Sequence, residues 1–354
     1  MLILIVSFFS SPVHARFSLS GDHMIRFPSI SATALAYKTL KMEILGFNFS
    51  YPLEVDLSAG PRDSLNYYLY SDQLTWETLR MDENGIPKAW SRTTGTNYWT
   101  GFIAWYALVE LGHFLRDKGS EHLVAFQKQI NWLEEHASMR QNALVWTMDF
   151  DNPESGTHLR APWVSAHAQG LAISAMVRGL RINRKTDLLE KLLLSANIFD
   201  LSVTDGGIRT EFEGSVFYTE IPGGPVPGIL DGFLTSLLGL YDLYIETQDA
   251  NVLRLFGEGI EGLKQLLPRW DYRTKWSWYG CREYLSPPPF HCLNRLLLSA
   301  LARLTGERVI AQYAERWDPA NLSNLEKAEI YSTFLLTKNI ARVRHHTWSY
   351  KSTI

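Results

Sequence analysis

Residues 217–243 read FYTEIPGGPVPGILDGFLTSLLGLYDL, and they divide into two halves of opposite character. Pro222, Gly223, Gly224, Pro225, Pro227 and Gly228 cannot sit together in a regular element, so the first half is a loop held by ring constraints and permissive glycines. Gly232–Tyr244 carries apolar residues at helical spacing and reads as a buried helix. One carboxylate, Glu220, enters the loop. A stiff loop on a helical scaffold is a common place for chemistry, and an ordinary connection with a solvated Glu is the alternative.

The helical pattern continues on both sides. Apolar periodicity predicts helices over 101–116, 122–136, 165–181, 187–199, 232–245, 252–267, 291–304 and 308–317, with a further one over 325–340. They fall into pairs joined by the short polar stretches DKGSEH, NRKTDL, TQDANV and TGERV, about every 60 residues. An irregular segment rich in Trp, Gly or Asp follows the second helix of the earlier pairs: 146–151, 205–213 and 270–284. The expectation is a mainly α fold, an (α/α) toroid of helical hairpins over residues 98–340; an open solenoid would share the local pattern. Residues 16–97 lack sustained helical periodicity and read as a smaller N-terminal cap of loops and short strands. Residues 341–354 form a basic tail.

Composition narrows the partners. The chain has 354 residues and a net charge of −3 with both signs interspersed, so nothing in its overall field would gather nucleic acid. Its 12 Trp, 16 Tyr and 17 Phe exceed what a helical core of this size needs, and aromatic faces suit sugar rings. Two cysteines, Cys281 and Cys292, exclude a disulfide framework and a Cys-rich zinc site. No HExxH, paired CxxC, P-loop or GxGxxG occurs, so neither a metal nor a nucleotide cofactor is expected. The run MLILIVSFF followed by SSPVHA resembles a signal peptide over residues 1–15, though no Lys or Arg precedes it. With a signal the protein would enter a secretory or periplasmic route; with a later start it would be cytoplasmic. No other stretch has the length to span a membrane.

Four stretches carry candidate chemistry. Residues 163–178, WVSAHAQGLAISAMVR, open on Trp163 and bring Ser165, His167 and Gln169 to the entry of a helix, as caps or as substrate contacts; Gly170, Ala172 and Ala175 suggest a close helix–helix approach. Residues 270–284, WDYRTKWSWYGCREY, and the Arg269 before them interleave Trp270, Tyr272, Trp276, Trp278, Tyr279 and Tyr284 with Arg269, Arg273, Lys275 and Arg282. Rings beside cations suit an anionic sugar, whose carboxylate an Arg can clamp in two places; an exposed hairpin with satellite packing is the structural alternative. In 287–295, PPPFHCLNR, His291 opens a helix and Asn294 follows one turn later; a hydrogen-bonded structural His is the other reading. Residues 146–151, WTMDFD, place two acids at what reads as a turn.

These motifs, taken in order, resemble the D-glucuronyl C5-epimerases, enzymes that invert C5 of glucuronate within heparosan or heparan-type chains. The likeness runs over roughly 98–317 and rests on WVSAHAQGLAISAMVR, FYTEIP, ILDGFLTSLLGLYDL, GIEGLKQLLP and YGCR. It implies a toroid behind a β-containing N-terminal part, an acidic glucuronate polymer as partner, no cofactor, and a possible homodimer. Residue by residue, the family's glutamate falls on Glu220, with Ile221 where a tyrosine follows it. Its Y-D-L-R tyrosine and arginine fall on Tyr279 and Arg282, and a third tyrosine falls on Phe290, beside His291.

The implied chemistry removes a proton α to a carboxylate. Its dianionic enolate requires the carboxyl charge to be neutralised, a task that falls to Arg282. Inversion needs a base on one face and an acid on the other: Glu220 and Tyr279, with His291 or Tyr284 standing in for the tyrosine that Phe290 replaces. Trp163, His167, Gln169, Tyr218, Trp276, Trp278, Tyr284 and Asn294 are the expected substrate contacts. The same enolate can expel the 4-O substituent, so a uronate lyase is an alternative; a glycosidase would need a second opposed carboxylate. A glycan-binding homologue without catalysis is the remaining one.

Overall fold

The computed structural model describes residues 47–49, 53–60, 64–70, 79–91, 94–152, 159–183, 186–224, 228–280 and 283–345. Residues 1–15, Cys281 and Arg282 lie outside these, as does most of the basic tail. Fourteen short strands and nine α-helices are present among the described residues. The chain is mainly helical, as the periodicity predicts. In chain order the helices are α1 Thr100–Asp117, α2 Ser120–Glu135, α3 Ala166–Asn183, α4 Thr186–Leu193, α5 Leu230–Thr247, α6 Ala250–Trp270, α7 Pro288–Thr305, α8 Arg308–Arg316 and α9 Asn324–His345.

Helices α1, α3, α5 and α7 lie side by side in that order, and α2, α4, α6 and α8 each pack back on the helix before them. Three of the hairpin joints end the first helix with a left-handed residue: Lys118 at φ 61°, Gln248 at φ 55° and Gly306 at φ 72°. Each such cap turns the chain out of the helix while its N–H satisfies a late carbonyl. Asp249 then starts α6, its Oδ1 accepting the N–H groups of Asn251 and Val252 at 2.8 and 3.0 Å.

Helices α3 and α5, at the middle of the first row, are buried almost all round, which is why their sequences are largely apolar. The largest helix–helix contact joins α3 and α5. A Cβ at Gly170 would lie 2.5 Å from Ser236 Cα, and one at Gly239 would lie 2.4 Å from the Gly170 carbonyl oxygen. The close approach expected at Gly170 is therefore made, and α5 supplies a matching glycine. Pairings run His167 with Thr235, Gly170 with Ser236 and Arg178 with Asp242, so the two helices are parallel and their N-termini share one end.

The N-terminal segment covers the other end. Arg178 and Asp242, both buried, pair at 2.7 Å; Tyr68 donates to Asp242 at 2.6 Å, and Arg178 donates to the carbonyls of Leu65 and Asn66 at 3.1 and 2.9 Å. Arg181 reaches the Ser64 carbonyl at 2.7 Å and Arg303 that of Ala59 at 2.8 Å. Strands β1 Glu54–Val55 and β2 Leu69–Tyr70 pair within this segment. The hairpin meander β3 Leu79–Met81, β4 Pro87–Ser91, β5 Gly95–Asn97 leans on α1 and α2, where Gln129 donates to the Gly85 carbonyl at 2.9 Å.

The remaining strands are short antiparallel pairs inserted between helices. β6 Ser138–Arg140 pairs with β7 Ala143–Val145, and β8 Thr147–Met148 with β9 Trp163–Val164. β10 Arg209–Phe212 pairs with β11 Ser215–Tyr218. β12 Asp271–Tyr272, β13 Trp276–Tyr279 and β14 Tyr284–Leu285 form a three-stranded sheet on which α9 lies. No helix among the described residues is long and apolar enough to cross a membrane.

Candidate active site

Two groups of the expected residues gather at the N-terminal end of the first-row helices. The first is built around Glu220. Strand β11 lies tightly on α6: a Cβ at Gly262 would sit 2.0 Å from the Val216 carbonyl oxygen, so the GIEG glycines let the strand approach. The strand end is then fixed. Thr219 donates its N–H to the Ile208 carbonyl at 2.8 Å, and its own carbonyl accepts the N–H of Ala166, the first residue of α3, at 3.1 Å. Glu220 therefore leaves the strand between the starts of α3 and α5. A Cβ at Gly232 would lie 2.5 Å from Glu220 Oε2, so the carboxyl group is laid against the first turn of α5 and its Oε2 is buried. The carboxyl group thus stands at the positive ends of α3 and α5.

His167 stands beside it, one turn further along α5. Its Nδ1 is 2.9 Å from Thr235 Oγ1, and its ring faces Gly101 in the first turn of α1. Withdrawal from water lowers the pKa of His167, while the nearby charge of Asp231 acts to raise it. The ring is thus neutral at neutral pH.

The second group surrounds Tyr279. Its ring stacks on Tyr284 with centroids 5.1 Å apart and planes at 17°, and meets Phe290 edge-on at 5.5 Å. Lys338 of α9 places its Nζ 5.0 Å above the Tyr284 ring. Trp278 is half-buried, edge-on to Tyr272 at 5.4 Å. Arg282 follows this group in the chain and lies outside the described residues.

Several expected site residues belong to the core instead. His291 is fully buried: Nδ1 accepts the Ser277 N–H at 3.1 Å, Nε2 lies 2.9 Å from the Trp317 carbonyl, and the ring stacks on Trp276 at 3.5 Å. Both nitrogens are occupied and burial pushes its pKa down to about 3, so it is a neutral packing residue rather than an acid or base. Gln169, also fully buried, donates to the Leu144 and Ser195 carbonyls and accepts the Trp146 N–H, which bolts α3 to β7. Tyr218 is fully buried, with its hydroxyl on the Leu255 carbonyl at 2.8 Å and its pKa raised by burial. Trp276 donates to the Ser286 carbonyl at 2.9 Å and Trp163 to that of Phe150 at 2.9 Å, both from buried positions. Asn294 is buried too, its Oδ1 without a hydrogen-bond partner among the described residues.

The cations of the aromatic segment are likewise committed. Arg269 pairs with Glu213, Arg273 with Glu329 and Lys275 with Glu326. Among the described residues no group of His, Cys, Asp and Glu has the arrangement to hold a metal ion. Asp231, Thr235 and Lys338 were not singled out by the sequence. Only the i, i+4 spacing of Asp231 and Thr235 at a helix start was visible, and it names no partner.

The model of the family described as D-glucuronyl C5-epimerase C-terminus matches residues 140–319, just over half of the chain. The chain belongs to this family. The matched span holds both groups described above, from His167 through Glu220 to Tyr279, and ends before α9. A D-glucuronyl C5-epimerase of Caenorhabditis elegans is 29% identical over 223 residues, covering 57% of this chain and 36% of that protein. An uncharacterised protein of Methanocaldococcus jannaschii is 26% identical over 178 residues, covering 49% of this chain and 57% of that protein. The chain thus spans between about a third and somewhat over half of these relatives' lengths. Among solved structures, a D-mannose isomerase aligns over 83% of this chain and 88% of its own, with 12% identity and a TM-score of 0.36, a likeness too slight to bear on function.

Proposed function

We propose that this C5-epimerase family member is a carbohydrate epimerase that inverts C5 of D-glucuronate within an acidic, heparosan-like polysaccharide to give L-iduronate, on an (α/α) toroid whose helix starts face the substrate. The observation that carries the reading is the seat of Glu220. Its carboxyl group is fixed between the N-termini of α3 and α5 by the Thr219–Ala166 bond and by contact with Gly232. In this reading Glu220 draws the proton from C5, and the electron pair of the C5–H bond passes into the substrate carboxyl group as an enolate. The helix ends and Arg282 offset the charge that develops. Tyr279, whose ring is set by Tyr284 and Phe290, returns a proton from the opposite face. Trp278 and Tyr284 offer rings to neighbouring sugars.

The experiment is incubation with heparosan-like and other glucuronate polymers in D2O. Deuterium at C5 with no chain cleavage is the expected result, and Glu220→Gln lowers it by at least about a thousandfold. Cleavage with a new ultraviolet absorbance would instead identify a lyase. Retained exchange in Glu220→Gln would remove Glu220 from the mechanism.

A further inference from the structure

We infer that His167 is a proton relay for Glu220: its Nε2 lone pair takes the proton that Glu220 has drawn from the substrate and hands it to solvent. The inference rests on the epimerase reading and adds a step to it. The hydrogen-bond pattern determines the tautomer. Thr235 Oγ1 has one proton, and it lies 2.9 Å from the Asp231 carbonyl and 3.1 Å from that of Gly232, both pure acceptors. Toward His167 Nδ1, 2.9 Å away, the same oxygen therefore accepts, so Nδ1 carries the hydrogen of the neutral ring. The lone pair is left on Nε2, which makes no hydrogen bond among the described residues.

Placement does the rest. Glu220 rests on Gly232 and His167 on Thr235; these are i, i+3 neighbours on one face of α5, a spacing of about 5–6 Å between Cβ positions. Room for the ring comes from α1, since a Cβ at Gly101 would stand 3.0 Å from His167 Cδ2 and 3.3 Å from Nε2. Two opposed influences act on the imidazole. Withdrawal from water favours the neutral form, and Asp231 stabilises the cation when it forms. Such a ring accepts a proton without keeping it. The step balances: the Glu220 O–H bond breaks, an Nε2–H bond forms through an intervening water that passes the proton on, and the imidazolium gives its proton to bulk water. The Glu220 carboxylate is regenerated for the next turnover.

Two measurements test this. Nitrogen NMR of the full chain at neutral pH is expected to show His167 neutral with hydrogen on Nδ1; hydrogen on Nε2, or an imidazolium, would overturn the relay. In D2O with a glucuronate polymer, the ratio of deuterium entering recovered substrate to inverted product reports how fast the drawn proton escapes. His167→Asn keeps a donor toward Thr235 and removes Nε2; His167→Gln, checked for the parent's melting temperature, serves if the first variant fails to fold. The ratio is expected to fall about tenfold and to be restored, saturably, by free imidazole. A ratio within about twofold of the parent, or a loss that imidazole does not restore, overturns the relay while leaving the epimerase reading intact. A parent protein that neither exchanges nor inverts any glucuronate polymer overturns both.

Discussion

The loop at 219–229 and the hairpin at 270–285 make opposite use of their residues. The hairpin holds most of the groups that look like sugar-binding chemistry, yet Trp270 and Trp276 are fully buried and Arg269, Arg273 and Lys275 each meet a carboxylate of the same chain. The loop holds a single acid, and the surrounding backbone is spent on placing it: one hydrogen bond to the start of α3 and one glycine at the start of α5. Density of suggestive residue types is therefore a poor guide. What decides is whether the rest of the chain supplies partners that consume those groups, and for Trp270, Trp276, Arg269, Arg273 and Lys275 it does, which leaves Trp278, Tyr279 and Tyr284.

Two substitutions set the regions against each other. Trp276→Ala removes a ring that stacks on His291 and fills a core with Leu285, Ile330 and Phe334, so it should cost about 3–5 kcal/mol of stability by urea unfolding. Exchange per folded molecule should stay within about twofold, because the ring touches no substrate. A selective loss of exchange at unchanged stability would return Trp276 to the site. Gly232→Ala should do the reverse. The added methyl would stand 2.5 Å from Glu220 Oε2 and 2.7 Å from its Cβ, displacing the carboxyl group together with its stem, a cost that the better helix propensity of Ala only partly offsets. C5 exchange per folded molecule should drop about a hundredfold, well beyond what any fall in melting temperature accounts for. Full exchange in this variant would mean that the seat of Glu220 on α5 is immaterial.

The asymmetry explains what could be read in advance. Helix pairs and their polar joints were legible because burial of one face imposes apolar periodicity, and left-handed caps at Lys118, Gln248 and Gly306 need no long-range partner. Glu220 was legible because a run of prolines and glycines follows it from Pro222. The fates of Gln169, Tyr218, Trp276 and His291 were not, since each is settled by a carbonyl or ring distant in sequence: Leu144, Leu255, Ser286 and Trp317. The role of Thr235 was hidden for the same reason, because its hydroxyl meets an imidazole 68 residues away.

The two histidines carry the comparison to its smallest expected effect. His291 and His167 both have lowered pKa values, but only His291 spends both nitrogens on the chain. For His291 the fold favours the neutral ring, with a pKa of about 3 against an ordinary 6.5, so the unfolded chain takes up the proton first. Stability from this group is fully present above pH 6.5 and falls as pH descends toward 3, by about 1.4 kcal/mol for each unit within that window. Urea unfolding between pH 7 and 5, above the range where most carboxylates titrate, should show this slope in the parent and a shallower one in His291→Gln. His167→Gln should remove less of the slope, because the pull of Asp231 already offsets part of its desolvation. Equal slopes in the parent and His291→Gln would show that Ser277 and Trp317 hold the ring as readily charged as neutral, and the line drawn between a packing histidine and a working one would have to be redrawn.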